Sequence, residues 1–242
     1  MTTRQQNPVQ IETLRRQISR LEGGQRPRDT APVATGCGPL DRLLPERGLR
    51  RGTLVEWLAA GAGSGAETLA LQAARQACRD GGTLIVLDRR REFYPPAAAR
   101  LGIELERLML VYATGEADNA WALDQALRCP GVAAIVAWPE QLDGRTFRRL
   151  QLAAEQGRGL GLLIRPPAAR SEPSWADVRL LVEPLPAEPS QAEKRRLRIC
   201  LLRCRGGTDG RSIDVEIDDE THLVHPASRL AAATAHHRAA GA

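Results

Sequence analysis

The stretch at residues 51–88, RGTLVEWLAAGAGSGAETLALQAARQACRDGGTLIVLD, constrains the fold more than any other part of the chain. It predicts a strand over 53–58, a glycine-rich turn over 60–65, a helix over 67–79 and a second strand over 83–87. The second strand, TLIVL, is a continuous apolar run, which suits a parallel strand covered on both faces. Leu69, Leu71, Ala73, Ala74 and Ala77 supply the apolar positions of the helix. A glycine turn between strand and helix aims backbone N–H groups from a helix N-terminus at one point, where they can cradle an anion. The turn holds Gly61, Gly63, Ser64 and Gly65, followed by Ala66 and Glu67. A phosphate-binding loop has Lys at the first of those two positions and Ser or Thr at the second. The ammonium meets the phosphates and the hydroxyl meets Mg²⁺. Here a carboxylate stands at the mouth with no ammonium to offset it. The geometry of a nucleotide loop is present and its chemistry is degenerate.

A chain of 242 residues accommodates one full α/β domain with short extensions. Its apolar fraction of 43% supports a core, and an aromatic fraction of 3% requires that Leu, Val and Ala build it. The net charge of +5 is compatible with nucleic acid or an acidic partner. Positive charge is carried by Arg, with Lys194 the only lysine; this suits bidentate phosphate contacts and equally a GC-rich genome. Cys37, Cys78, Cys129, Cys200 and Cys204 are odd in number and widely spaced, so they read as reduced structural thiols. Cys200 and Cys204 fall in one predicted strand and should share a face. No apolar signal core or membrane-length run is present, which points to a cytoplasmic protein.

In chain order, Ile11, Leu14, Ile18 and Leu21 form the apolar stripe of a short amphipathic helix over 11–21. That stripe either packs on its own domain or docks on a partner or a second copy. A polar linker completes an N-terminal extension over 1–30, the main domain covers 31–225, and 226–242 reads as a flexible tail. Residues 33–49 form a connector, broken at Gly36 and Gly38, with a helical turn over 41–44. After the central stretch, strands are predicted over 108–112, 131–138 and 159–165. They alternate with helices over 97–101, 118–128 and 145–156. This alternation predicts a parallel sheet with helices on both faces. From residue 176 onward, ADVRLLVEPL, RLRICLLRC and SIDVEID read as three consecutive strands of an antiparallel extension. Asp214, Glu216 and Asp218 share one face of the last of these, most simply the exposed one.

In this order and spacing the motifs resemble a RecA-like recombinase core, and within it the ImuA family of translesion-synthesis accessory proteins. The resemblance covers residues 35–218. Thr35-Gly36 with Leu40-Asp41 is similar to a TG-x-x-x-LD motif of the family. Gly48-Leu49 with residues 52–56 (GTLVE) is similar to its following strand, and Ser64-Gly65 with Thr68-Leu69 and Leu71-Gln72 to its loop-to-helix signature. Leu87-Asp88, Pro95, residues 99–102 (ARLG) and residues 176–180 (ADVRL) extend the match. The fold implied is a RecA-like core of mostly parallel sheet flanked by helices, with the C-terminal antiparallel extension and the N-terminal amphipathic helix.

The resemblance also shows what is lost. RecA-type enzymes carry the phosphate Lys and the Mg²⁺ hydroxyl where this chain has Ala66 and Glu67. Their water-activating Glu aligns with Arg90, their Mg²⁺-linked Asp with Ala137, and their γ-phosphate-sensing Gln with Arg165. Losing these groups removes the electrostatic handling of a transferred phosphoryl group. The expectation is a pseudo-ATPase without cofactor, metal site or catalytic residues. The two DNA loops of the fold correspond to residues 139–145 and 165–175. In and beside these loops, Arg145, Arg148, Arg149, Arg165 and Arg170 are candidate phosphate contacts and Trp175 a candidate for base stacking. The competing reading makes them solvated arginines and a half-buried tryptophan. His222 and His225 lack a third ligand and read as solvated, as do His236 and His237.

What the resemblance implies is a non-catalytic adaptor in SOS-induced DNA damage tolerance. Its implied partners are RecA, an ImuB-like polymerase-fold subunit and a DnaE2-like error-prone polymerase. DNA contact and self-association are further candidates. Two other classes stay open: a SulA-like cell-division inhibitor and a weak nucleotidase using the glycine turn.

Overall fold

A computed structural model describes residues 31–61, 63–186, 194–218 and 224–227. The predicted helix with Ile11, Leu14, Ile18 and Leu21 lies outside them, as do His222, His236 and His237. The described chain builds one sheet of nine strands: β1 (Leu54–Ala59), β2 (Thr83–Leu87), β3 (Leu108–Val111), β4 (Val132–Ala137), β5 (Leu160–Arg165), β6 (Val178–Leu185), β7 (Lys194–Cys204), β8 (Ser212–Asp218) and β9 (Val224–Pro226). Their order is β3-β2-β4-β5-β1-β6-β7-β8-β9. The first six of these run parallel to one another, and β7, β8 and β9 continue antiparallel.

The helices are α1 (Gly38–Asp41), α2 (Ala66–Ala77), α3 (Pro95–Arg100), α4 (Glu116–Arg128) and α5 (Gly144–Gly157), with single 3₁₀ turns at Leu105–Arg107 and Pro167–Ser171. Strands β1, β4 and β5 are buried at nearly every position because helices cover both faces of the parallel part. On one face, Leu69, Ala70, Ala73 and Ala77 of α2 join Val55 and Trp57 of β1, Leu162 of β5 and Ile199 of β7 in the larger core. On the other, Leu123 and Leu127 of α4 and Phe147 and Leu150 of α5 pack with Leu54, Ile135 and Leu163. The Asp143 carboxylate caps α5, accepting from the backbone N–H of Arg145 and of Thr146, each at 2.8 Å.

Three local expectations are corrected. Gly38 does not break the connector; it opens α1, with Pro39 in the first turn where a missing N–H costs nothing. The surrounding motif is held by polar contacts: the Thr35 hydroxyl accepts from Cys37 N–H at 3.1 Å, and Asp41 Oδ1 accepts from Thr35 N–H at 2.8 Å. Next, Cys200 and Cys204 do not share a face. Arg179 faces Arg203 and Leu180 faces Leu201, so β7 carries one extra residue between them. That bulge reverses the alternation, placing Cys204 in the larger core while Cys200 packs with Leu58, Ala169 and Leu181 on the opposite side. Finally, the antiparallel extension does not end with the third predicted strand, since Val224–Pro226 forms β9 against β8 and Ala227 N–H donates to Asp214 O at 3.0 Å.

The acidic strand β8 is explained by its neighbour. Asp214 and Glu216 lie directly opposite Arg198 and Arg196 of β7. Arg198 Nε and Nη2 grip the two Asp214 oxygens at 2.7 and 2.9 Å. Glu216 is 9% exposed, deeper than an outward-facing acid needs to be. Ion pairing across the strands thus replaces the simple solvent-facing edge expected for these carboxylates.

Candidate functional site

The glycine turn joins the C-terminal end of β1 to the N-terminus of α2. Gly63 and Gly65 adopt positive φ angles of 72° and 83°. Ser64 N–H donates to Gly61 O at 3.2 Å, and the Ser64 hydroxyl accepts from Ala66 N–H at 3.4 Å. Gly65 is required twice over. Its backbone is left-handed, and a Cβ there would stand 2.3 Å from Leu197 Cδ1 of β7. Gly61 and Gly63 have open space where a Cβ would be.

Beyond the turn, the positions that the resemblance aligns with ATP-handling groups hold contacts internal to this chain. Ala66 is fully buried within the core. Glu67 reaches across the mouth and accepts from Trp138 Nε1 at 3.0 Å. The Trp138 ring in turn lies 6.4 Å from that of Phe93, tilted by 57°. Ala137, at the end of β4, is fully buried in the second core. Arg90 pairs with Glu140, which also meets Arg89 at 3.2 Å. Hydrogen bonding from Arg90 is the chief cause that holds the Glu140 carboxyl below the usual carboxylate range.

Arg165 belongs to a different environment from the one the sequence suggested. Its side chain is fully buried, so it is not a surface cation available to a phosphate. Nη1 meets Glu56 Oε1 at 2.8 Å and Nη2 meets Glu172 Oε2 at 2.6 Å. Nε and Nη2 also donate to the carbonyls of Pro139 and Glu140, each at 3.3 Å. Glu56 is itself fully buried, and its other oxygen meets Arg179 Nε at 2.8 Å and the Ser174 hydroxyl at 2.6 Å. Arg179 also donates to the carbonyls of Ala169, Arg170 and Glu172. Two guanidiniums and two carboxylates therefore fasten the segment after β5, including its 3₁₀ turn, to the middle of the sheet. A buried charge set of this kind is tolerated only when its members satisfy one another.

The remaining candidate DNA residues lie on α5 and on that fastened segment. Arg145, Arg148 and Arg149 are all exposed, at spacings that share one side of the helix. The Arg148 guanidinium lies over the Trp175 ring, 5.0 Å from its centroid, and Trp175 is 44% exposed. Arg149 Nε is 3.5 Å from Asp124. Arg170 is exposed and is joined to this face through its backbone carbonyl rather than its side chain. Among the described residues, no three His, Cys, Asp or Glu side chains converge as metal ligands.

Glu56 and Arg179 fall in the motifs GTLVE and ADVRL but had no role assigned from the sequence, and Glu172, Phe93, Trp138 and Glu140 were not singled out from it. For two of them a signal existed: Glu56 in LVEWL and Arg179 in VRLLV each place one charge inside an apolar strand. Parallel pairing sets these two directly opposite each other.

Comparison with known proteins bears on the family and the fold. A family model described as the MT3502 N-terminal domain matches residues 42–167. The protein ImuA of Caulobacter vibrioides, in strains NA1000 / CB15N and ATCC 19089 / CIP 103742 / CB 15, is 33% identical to this chain. The alignments cover 92% of this chain and 97% of each relative. The crystal structure of the RadB recombinase matches 81% of this chain and 100% of its own, with a TM-score of 0.63 at 18% identity. This last likeness concerns the fold.

Proposed function

The chain belongs to the ImuA family, and on that premise we propose that it is a non-catalytic adaptor in SOS-induced translesion DNA synthesis. It acts through protein contacts with RecA, with a mutagenic polymerase complex of an ImuB-like subunit and a DnaE2-like polymerase, or with both. The observation that carries the reading is the state of the strand ends. Where a RecA-like ATPase presents Lys, Mg²⁺ ligands and a water-activating Glu, this chain has the buried Ala66 and Ala137, the Glu67–Trp138 hydrogen bond and the Arg90–Glu140 pair. A fold without that chemistry retains rigid surfaces on which partners can assemble. No helix among the described residues is long and apolar enough to cross a membrane, and cytoplasmic placement is part of the proposal.

DNA contact is a second reading, favoured by one observation: Arg148 and Trp175 stand together as a cation and an aromatic face on one exposed surface.

The test is capture by the purified full-length protein of RecA, the ImuB-like subunit, the DnaE2-like polymerase and the division tubulin. Each is assayed with and without residues 1–24. Capture of RecA or the polymerase subunits supports the adaptor, and its loss on deletion assigns the role to Ile11, Leu14, Ile18 and Leu21. Capture of the division tubulin alone overturns the proposal in favour of a SulA-like inhibitor.

A further inference from the structure

A second concavity opens at the far end of α2, some 18 Å along the helix from the glycine turn at 1.5 Å per residue. It encloses about 240 Å³ between the last turn of α2, Leu84 of β2 and the segment Gly102–Arg107. Three guanidiniums line it, those of Arg75, Arg79 and Arg107, against one carboxylate, Glu104. That carboxylate is already engaged by Arg107 Nε at 3.2 Å. The floor is apolar, built from the buried Leu84 and Ile103.

Arg75 is the informative residue. Its Nε is buried and has no hydrogen-bond partner among the described residues. A desolvated donor left unmatched is destabilising, and a ligand oxygen would relieve it. Its guanidinium lies over Gly102, where a Cβ would meet Nη1 at 3.0 Å and where φ is +80°. Glycine at that position leaves room for the guanidinium against the backbone.

The usual explanation for arginines at a helix C-terminus is capping of the last carbonyls. Here those carbonyls are taken by other groups. Cys78 N–H reaches Ala74 O and Arg75 O, Arg79 N–H reaches Gln76 O, and Gly81 N–H reaches Cys78 O. Arg51 Nη2 donates to Ala77 O at 2.9 Å. Arg75 and Arg79 are therefore not consumed as caps; both line the cleft, where Arg79 Nη1 donates to Gln76 Oε1 at 3.2 Å and Arg75 Nε is left unmatched. Its thiol wall adds no competing negative charge, since burial pushes Cys78 up to about 11.

We propose that this cleft binds a phosphate monoester of mononucleotide size, with Arg75, Arg79 and Arg107 holding the phosphate and Leu84 and Ile103 receiving the organic part. The volume lies just below the roughly 300–1,000 Å³ of drug-sized ligand sites. It exceeds the needs of a bare phosphate. Planar guanidiniums are the side chains best matched to phosphate oxygens. The site is separate from the glycine turn and asks nothing of ATP hydrolysis.

The experiment is calorimetric titration of the full-length protein with dAMP, with inorganic phosphate as competitor and deoxyadenosine as the ligand lacking the charged group. The expected result is saturable dAMP binding displaced by phosphate, with no binding of deoxyadenosine. Arg75→Ala should weaken dAMP about tenfold or more, the effect of losing one charge-assisted contact. Arg79→Ala and Arg107→Ala alter exposed side chains that the fold does not need, and each should weaken it severalfold. Arg211→Ala, an exposed arginine outside the cleft, controls for general charge and should leave binding unchanged. A 5′-phosphorylated trinucleotide that competes with dAMP upholds the site and extends it to strand ends; one that fails to compete upholds it for free nucleotides. Absence of dAMP binding at millimolar concentration, or binding that survives all three cleft substitutions, overturns the proposal.

Discussion

Arg165 ends β5 and Arg90 follows the end of β2, and the resemblance to RecA-type enzymes aligns both with ATP-handling groups. Their surroundings are opposite. Arg165 is walled in with Glu56, Arg179 and Glu172, whereas Arg90 meets Glu140 in solvent, with side chains 60% and 45% exposed. A charge moved out of water loses its hydration, and only close partners offset that loss. An exposed pair keeps its hydration and gains little. The first cluster is therefore part of the scaffold, while the second is replaceable. Similar residue types at equivalent strand ends serve different ends, and burial decides which.

The largest effect expected from breaking this comparison is at Glu56. Glu56→Ala leaves the Arg165 and Arg179 guanidiniums without their shared carboxylate and should cost about 3–5 kcal/mol. Denaturant unfolding measures the loss, and faster proteolysis within residues 166–176 would show that the fastened segment has come free. Gly65→Val comes next. It forces a β-branched residue into a left-handed backbone and drives Cβ against Leu197, at a cost of roughly 2–4 kcal/mol, read in the same unfolding assay.

A pH experiment probes the intermediate case, the half-exposed Arg198–Asp214 pair. Hydrogen bonding from Arg198 holds the Asp214 carboxyl below its ordinary 3.8. A depressed carboxylate contributes stability above its unfolded value and loses it as pH falls through the folded one. Arg198→Ala should therefore lower stability at neutral pH and flatten the loss of stability below about pH 4. Thermal melting at a series of pH values checks both. The smallest effect belongs to Arg90→Ala, which should leave the melting temperature at the parent's value because solvent replaces its partner.

Much of the fold was legible because parallel strands under helices write themselves as apolar runs. TLIVL was placed to the residue, and GVAAIVAW and GLGLLIR to within a residue or two of β4 and β5. The glycine turn was legible too, since its spacing reflects backbone conformation. What the sequence did not reveal depends on long-range pairing. Glu56 meets Arg165 and Ser174 across 109 and 118 residues, a distance over which no local periodicity operates. The resemblance to RecA-type enzymes suggested a lost position at Arg165 and carried no sign that its side chain is buried. The bulge in β7 involves one extra residue that alternation alone cannot reveal, and β9 is too short to stand out beside the proline that ends it.

Hydrolysis of ATP by the protein and by the double variant Ala66→Lys with Glu67→Thr, in the presence of Mg²⁺ and single-stranded DNA, tests the account most directly. The substitutions restore both lost loop residues. The account predicts no turnover above background from either protein, because it aligns Arg90 and Ala137 with the water-activating and the Mg²⁺-linked carboxylate that such turnover requires. Turnover by the unaltered protein, or its appearance in the double variant, would contradict the pseudo-ATPase reading on which the proposed adaptor function rests.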